Sequence, residues 1–158
     1  MQNYNIEFLE NKKSVGKICR ENNVTELEVL KVLDGNKDVR LLGKEFVKKL
    51  LADLHSLGEL LMLIEREGSV FEITSPFPCG EEGHGYYNFH RAPFSGHFNI
   101  DKITNVAVVA ETLFGKRSCS WRFIGEDGSS VLKVYIKRDA NKEFLKPHLE
   151  SFEKWLAY

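Results

Sequence analysis

The chain has 158 residues, of which 42% are hydrophobic, and its 22 basic and 23 acidic residues give a net charge of −1. This length and apolar content predict a single folded domain over residues 1–158 and exclude intrinsic disorder. The near-neutral charge excludes a strong general attraction to nucleic acids, because proteins that bind them commonly carry a basic face. The longest unbroken apolar run, residues 60–64, is far shorter than the ~18–20 residues that a membrane-spanning helix needs.

The N-terminus and the cysteines indicate a protein of the cytoplasm. Residues 1–13 contain no basic start followed by an apolar stretch, so we expect no secretory signal. Cys19, Cys79 and Cys119 are odd in number, lie far apart and form no Cys-x-x-Cys pair. This pattern argues against a disulfide scaffold or a zinc ribbon and predicts free thiols in a reducing compartment.

Helical periodicity dominates the first part of the chain, residues 1–57. Thr25 and Glu28 are spaced as a capping box, in which each side chain binds a backbone N–H of the first helical turn. Apolar residues recur at helical spacing over residues 46–57, which glycines bound on both sides. The predicted helices cover residues 4–10, residues 14–22, a segment that begins at Thr25, and residues 44–57.

Strand-like patterns dominate the second part, residues 58–158, which ends in one more helix after Pro147. Residues 67–68 and 126–129 are typical of hairpin turns, and the run of Val and Ala at 106–110 fits a strand buried on both faces. We therefore predict an α+β fold with an antiparallel sheet of about seven or more strands, an N-terminal helical region and a C-terminal helix. The predicted strands are residues 60–66, 69–74, 85–90, 97–100, 103–112, 118–124 and 131–137.

Three of the five histidines, His84, His90 and His97, fall within a segment that is rich in glycine and proline. Because alternate residues of a strand share a face, we expect Tyr86, Asn88 and His90 on one face of the same strand. Glycines beside His84 and His97 let the backbone approach a bulky flat ligand closely. One interpretation of this segment is purely structural: a pair of strands with histidines in their loops.

A ligand site is the other interpretation, because neutral imidazole is the commonest metal ligand. Zinc is one candidate, with Cys79, His84, His90 and His97 as its ligands, although their spacings match no closed zinc motif. Haem is another candidate, because it needs only an axial nitrogen or tyrosinate, a flat apolar slot and cations near its propionates. This segment and its neighbours contain all three kinds of group.

Residues 14–33 have the proportions of a helix-turn-helix, so a DNA-binding regulator is a further alternative. The start of its second helix, where such a protein contacts DNA, carries Glu26 and Glu28, and carboxylates repel phosphate. A helical hairpin that packs on the sheet is therefore the favoured interpretation. Signatures of common hydrolases and nucleotide-binding proteins are absent from the sequence, and we expect His55 and His148 at the surface on or beside helices.

Taken together, the motifs of the second part resemble those of the ChuX/HutX family of intracellular haem-utilisation proteins. The resemblance runs from about Val24 to Trp155. Its most specific element is Gly-His-Gly-Tyr-Tyr-Asn-Phe at residues 83–89, followed by Ser-Gly-His at residues 95–97. The resemblance implies a homodimer of split-barrel-like antiparallel sheets, related to one half of the larger ChuS/HemS haem proteins. Further matching segments are residues 68–73, 103–110, 132–136 and 138–139.

In function, the resemblance implies a cytoplasmic haem carrier that takes up imported haem and passes it on, in trafficking or storage. It places the family's proposed haem-iron ligand at His97, with His84 and Tyr86 as alternates. Glu65 stands where the family has a second histidine, so a site with two histidines at these positions is not available. Because a haem held by His97 alone leaves one side open, a haem-degrading enzyme is the alternative function. Candidate partners for the haem propionates are cations, namely Arg91, Lys116 and Arg117.

Overall fold

An open antiparallel sheet of six strands lies at the centre of the fold, and a separate sheet of three strands packs against it. The computed structural model describes residues 3–90 and 93–158. No helix of these residues is both long and apolar enough to cross a lipid bilayer. Their α-helices are α1 (Val15–Asn22), α2 (Glu26–Leu33), α3 (Val47–Ser56) and α4 (Lys146–Leu156). Their strands are β1 (Val39–Gly43), β2 (Glu59–Arg66), β3 (Ser69–Pro76), β4 (Cys79–Gly83), β5 (Tyr86–His90), β6 (Gly96–Phe98), β7 (Ile103–Leu113), β8 (Lys116–Gly125) and β9 (Ser130–Tyr135).

The large sheet has the strand order β1-β7-β8-β9-β2-β3, and every neighbouring pair is antiparallel. The small sheet consists of β4, β5 and β6 in that order, also antiparallel. The predicted α+β class, the antiparallel pairing and the helices at both ends of the chain are therefore confirmed. The strands are divided between two sheets, which the local patterns did not show.

Most predicted elements are present, with end points shifted by a few residues. The first helical segment contains a π-helix at Ile6–Glu10, and a 3-10 turn at Lys44–Phe46 leads directly into α3. The predicted strand 97–100 is wrong in its second half, because the chain turns into a 3-10 helix at Ile100–Lys102. The patterns also miss β1, which is short, and β4, whose glycine and glutamate residues show no apolar alternation.

Side-chain alternation along β8 separates two hydrophobic cores on the two faces of the large sheet. Trp121 and Phe123 lie in a core shared with α3, α4 and the small sheet. Ile124 lies in a second core beneath α1 and α2, together with Ile18 and Leu30. Among the described residues, this second core draws its sheet residues from β1, β7 and β8. Among the described residues, this second core therefore includes none from β9, β2 or β3.

A buried charge network fixes α1 and α2 to the sheet. The fully buried Arg122 donates to Glu26 Oε1 at the start of α2 over 2.8 Å and also donates to Glu111 Oε1. Glu111 Oε2 accepts the backbone N–H of Val15, the first residue of α1, over 2.8 Å. Burial opposes the charged form of Glu26, but Arg122 and Lys133 hold its pKa below the usual value. Such a network favours one docking position, because a buried charge without its partner is costly.

The acidic start of α2 is docked on the sheet through Glu26. Thr25 forms the predicted capping box with Glu28. Leu27 N–H donates to Gly128 O in the turn between β8 and β9 over 2.9 Å. The packing of this helical hairpin on the sheet is therefore confirmed, and the contacts at the start of α2 are made by Glu26 and Leu27.

The end of the β2–β3 hairpin extends beyond the core. Its turn residues, Glu67 and Gly68, have φ angles of 51° and 76°, as the predicted two-residue turn requires. Ile64 and Phe71 lie directly opposite each other near this turn, with relative exposures of 41% and 65%. Because β3 is an edge of the large sheet, these apolar side chains lie beside unpaired backbone groups.

Candidate functional site

The histidine-rich segment forms the small sheet, and the backbone of its first turn explains why a glycine stands at position 85. His84 and Gly85 form the two-residue turn between β4 and β5, where Gly83 pairs with Tyr86. Their φ angles of 54° and 82° are those of a left-handed hairpin turn, which favours glycine because it has no Cβ. His84 therefore lies exposed at the tip of the hairpin.

Aromatic residues anchor the small sheet to the core and turn its other face outward. Phe89 and Phe98 are buried and stack with their ring centroids 5.8 Å apart. Phe98 also meets Phe123 of β8 edge-to-face at 5.3 Å. Because side chains alternate along a strand, Asn88 and His97 lie on the opposite face. The predicted face with Tyr86, Asn88 and His90 is therefore the outer face of β5.

The ring of His97 has a defined orientation on this outer face. Its Nδ1 lies 2.6 Å from Oδ1 of Asn88 on the neighbouring strand. Its ring centroid lies 5.7 Å from that of Tyr86. Within the described residues, Nε2 of His97 makes no hydrogen bond or ion pair. The nitrogen that a metal ion needs is therefore uncommitted.

A surface cleft of about 720 Å³ surrounds His97, a volume within the range of ligand pockets. We call it the histidine cleft; its lining includes His84, Asn88, His90 and His97. His90 is engaged with Glu81, since its Nε2 lies 3.2 Å from Oε1 of that residue. The structure thus brings His84 and His97 to one cleft, with Tyr86 against His97.

The described residues of the same segment form no zinc site. In residues 3–90 and 93–158, no three side chains of His, Cys, Asp or Glu gather closely enough to hold a metal ion. Cys79 pairs with His90 across β4 and β5, but the set proposed for zinc does not converge into a tetrahedral site. Arg91, a predicted partner of the propionates, lies outside the described residues.

Lys116 and Arg117 lie in a different cleft of about 860 Å³, which we call the basic cleft. It lies over β9, β2 and β3 on the face of the large sheet that carries α1 and α2, and residues of α1 line it as well. The two cations follow the turn between β7 and β8, and Arg117 Nη1 lies 3.3 Å from Asp38 Oδ1. Glu65 of β2 lines this cleft as well. The basic cleft therefore contains three of the predicted residues but not His97.

Sequence reasoning missed the floor of the basic cleft. Lys133 and Tyr135 of β9 line it together with Leu61 and Leu63 of β2. Burial and the neighbouring Arg122 lower the pKa of Lys133, and burial raises the pKa of Tyr135. The alternation of polar and apolar residues along β9 would have placed both side chains away from the main core. Further cations in the lining are Lys12, Lys13, Lys17, Arg20 and Arg138.

The two clefts are far apart within one chain. Phe98, the residue after His97, contacts Phe123 near one end of β8, whereas Lys116 and Arg117 begin the same strand. The strand length between Phe123 and these cations corresponds to about 20 Å. A single chain therefore does not bring His97 and the two cations to one cleft.

The remaining histidines connect helices to the rest of the fold. His148 is only 4% exposed and its Nε2 lies 2.9 Å from Leu57 O, so the expectation of a surface position is wrong. The start of α4 packs against the end of α3 at this point, which a local pattern cannot show. His55 is exposed, as expected, and its Nδ1 lies 2.9 Å from Phe77 O.

Comparison with known proteins assigns the chain to a family. The sequence model of the family described as haem utilisation ChuX/HutX matches residues 39–155, well over half of the chain. The chain therefore belongs to the ChuX/HutX family of haem utilisation, and the predicted resemblance to this family is confirmed.

Individual known proteins resemble the chain over most of its length. An intracellular haem transport protein, HutX of Vibrio cholerae serotype O1, is 28% identical over 133 residues, which cover 83% of this chain and 68% of HutX. The structure of the haem-binding protein ChuX has a TM-score of 0.85 at 24% identity, covering 96% of each chain. ChuS, a haem-degrading enzyme of Escherichia coli O157:H7, has a TM-score of 0.80 at 12% identity, covering 98% of this chain but 48% of ChuS. At these identities the structural matches show the shared fold alone.

Proposed function

We propose that this protein binds haem as cargo in the bacterial cytoplasm and passes it to other proteins, in the trafficking or storage of haem iron. The observation that carries the proposal is His97, whose ring is held by Asn88 while its Nε2 stays uncommitted in an accessible cleft. Membership of the haem-utilisation family and the description of HutX as a haem transport protein support haem as the ligand.

The described side chains fit what haem requires of a protein. His97 offers a nitrogen with a free electron pair as the ligand of the iron. His84 and Tyr86, in the same sheet, are the alternate ligands. The leucines in the floor of the basic cleft offer apolar surface for a porphyrin. Lys116 and Arg117 at its rim offer charge-assisted hydrogen bonds to the propionates. The chain thus provides each kind of group, but in two separate places.

We further propose a homodimer, because one chain keeps His97 away from the basic cleft. In a two-fold dimer each chain presents the same surface to its partner. The histidine cleft of one protomer then completes the basic cleft of the other. Haem is held by His97 of one chain and by Lys116 and Arg117 of the second chain.

A hemin titration followed by visible absorption tests the function. Wild-type protein is expected to bind about one hemin per protomer with a sharp Soret band. His97→Ala should weaken binding by at least the ~10–100-fold that loss of a partner around a metal ligand commonly costs. His90→Ala is the matched control, because this histidine of the same cleft is already paired with Glu81. An unchanged affinity and spectrum in His97→Ala would show that His97 is not the ligand.

Incubation of the haem complex with a reductant separates a carrier from a haem-degrading enzyme. A carrier keeps the porphyrin intact, so the Soret band should persist after the reductant is removed. Loss of the band together with a biliverdin-like product would mean that the protein degrades haem, and the carrier proposal would then be wrong.

A further inference from the structure

Asn88 lies directly opposite His97 across the β5–β6 pair, and its side-chain amide is engaged on both sides. Oδ1 lies 2.6 Å from His97 Nδ1. Nδ2 donates to the backbone carbonyl of Gly83 over 3.0 Å and to that of Glu81 over 3.3 Å. A single side chain thus ties the β4–β5 turn to the ring of the candidate ligand.

These contacts determine which way the amide faces. An amide has two N–H donors on nitrogen and only acceptor sites on oxygen. With the two atoms exchanged, Oδ1 would lie against the carbonyl oxygens of Gly83 and Glu81, and neither of them can donate a hydrogen bond. The hydrogen-bond network therefore assigns Nδ2 to the carbonyls and Oδ1 to His97.

Because Oδ1 can only accept, Nδ1 of His97 must carry the hydrogen of this bond. In a neutral imidazole one nitrogen is protonated and the other has the free electron pair, and the partner of one nitrogen determines the state of the other. The electron pair of neutral His97 is therefore on Nε2, the nitrogen that forms no hydrogen bond or ion pair with a described residue.

We infer that Asn88 is a positioning residue that selects the ligand tautomer of His97 and presents Nε2 to the iron of haem. The inference deepens the proposed function, on which its reference to haem rests. A partner on the second ring nitrogen orients a metal-binding histidine and makes it a better ligand. Here that partner is an amide supplied by the adjacent strand rather than a carboxylate.

Tyr86 restricts the same ring from another side. Its ring centroid lies 5.7 Å from that of His97, and the two planes are inclined by 54°. Rotation of the imidazole out of the Asn88 hydrogen bond would therefore disturb this contact as well. The ligand is preorganised before haem arrives, and binding does not have to orient an exposed side chain.

Nitrogen-15 NMR of histidine side chains in the haem-free protein tests the inference directly. At a pH where the imidazole is neutral, the wild-type ring of His97 should be mainly the tautomer with hydrogen on Nδ1. Asn88→Ala removes the acceptor, so this tautomer should lose its predominance. Asn88→Asp keeps an acceptor oxygen but loses the donor to the β4–β5 carbonyls, so it should restore the tautomer. Asn99→Ala, in an exposed residue just after β6, is the matched control.

The comparison of the two Asn88 variants distinguishes tautomer selection from simple loosening of the turn. Both variants lose the hydrogen bonds to Gly83 and Glu81, and only Asn88→Asp can still accept from Nδ1. A wild-type ring with hydrogen mainly on Nε2, or an unchanged tautomer in Asn88→Ala, would overturn the inference. Equal loss of the tautomer in both variants would overturn it as well, because the turn rather than the acceptor would then be responsible.

Haem transfer to apomyoglobin supplies the second readout. Asn88→Ala should release haem at least about tenfold faster than wild type, and Asn88→Asp should recover most of the difference. Equal release rates in all three proteins would overturn the link to haem. Failure of wild-type protein to bind hemin at all would instead refute the proposed function, while the haem-free NMR spectra would still decide whether Asn88 selects the tautomer.

Discussion

The resemblance places Glu65 where the family pattern has a histidine, and the surroundings of Glu65 give this difference a definite chemical meaning. It is exposed on β2 and lines the basic cleft with Lys116 and Arg117. A carboxylate is a weaker partner for ferric haem than an imidazole, and it repels propionates that lie near it. The native ferric complex is therefore expected to be largely high-spin, with one strong protein ligand.

Glu65→His should supply the second imidazole and shift ferric haem toward the low-spin, six-coordinate state with slower haem release. The fold should be unaffected, because changes at exposed positions usually alter the free energy of unfolding by no more than about 0.5 kcal/mol. Ferric absorption and EPR spectra measure the spin state, and transfer to apomyoglobin measures the release rate. Glu67→His, in the adjacent hairpin turn, is the control for an added histidine outside the basic cleft.

Identical low-spin spectra of wild type and Glu65→His would contradict this expectation. Glu65 would then be remote from the iron, and a second native ligand would have to exist. His84, at the tip of the β4–β5 hairpin, would be the first candidate for that ligand.

At the scale of elements, the docking of α2 depends on Glu26. Glu26→Gln leaves the buried Arg122 with a weaker partner, and breaking a buried ion pair commonly costs about 3–5 kcal/mol. Glu126→Gln removes the exposed pair with Lys102, whose atoms lie 3.2 Å apart, and should cost no more than about 1 kcal/mol. Urea denaturation of the three proteins at neutral pH measures the difference. If Glu26→Gln lowers the free energy of unfolding no more than Glu126→Gln does, the network does not stabilise the fold.

The same substitution predicts a pH dependence with a definite sign. The pKa of Glu26 is lower in the folded chain than the ~4.3 of an unfolded glutamate. Its ionised form therefore stabilises the fold above about pH 4.3, and this contribution is lost as the pH falls through the lower folded pKa. The difference in stability between wild type and Glu26→Gln should shrink on acidification over that interval. A constant difference from neutral pH to pH 3 would contradict the prediction.

Local patterns predict this fold where an element contains its own signal. Three patterns each lie within a few residues of the helix start, turn or strand that they predict. They are the capping box at Thr25, the two-residue turn at Glu67 and Gly68, and the alternation around Phe89. β4 has no such signal, because its glycine-rich strand forms only through pairing with β5. The division into two sheets likewise depends on contacts between distant segments.

The candidate site likewise has one part that local sequence predicts and one part that depends on distant segments. The motif of residues 83–97 is local, and its alternation places Asn88 with Tyr86 and His90 on one face. It does not show that Asn88 lies opposite His97, because that position depends on the pairing of β5 with β6. The floor of the basic cleft joins Lys133 and Tyr135 to Leu61 and Leu63 through the pairing of β9 with β2. Residues 61–63 and 133–135, which form this pairing, are far apart in the sequence. No short motif can therefore predict it.

At the scale of the whole molecule, a shared haem site predicts that two defective variants complement each other. His97→Ala lacks the proposed ligand, and Lys116→Ala/Arg117→Ala lacks the proposed propionate partners. A heterodimer of the two has one site with all three side chains and one site with none of them. Heterodimers purified through two different affinity tags should therefore regain one tight hemin site, as measured by titration against each parent homodimer.

Failure of the heterodimer to bind hemin better than its parents would show that the site is not shared. Light scattering gives an independent check, because the protein should have the mass of two chains at micromolar concentration. A monomer at that concentration would contradict the homodimer, even if hemin still binds.

The exposed end of the β2–β3 hairpin also affects how the protein behaves when it is concentrated. Ile64 and Phe71 lie on an open sheet edge, and such edges readily join the edges of other chains. A net charge of −1 provides little colloidal repulsion to keep those chains apart. The exposed end of this hairpin therefore favours association between chains, and precipitation, as the protein concentration rises.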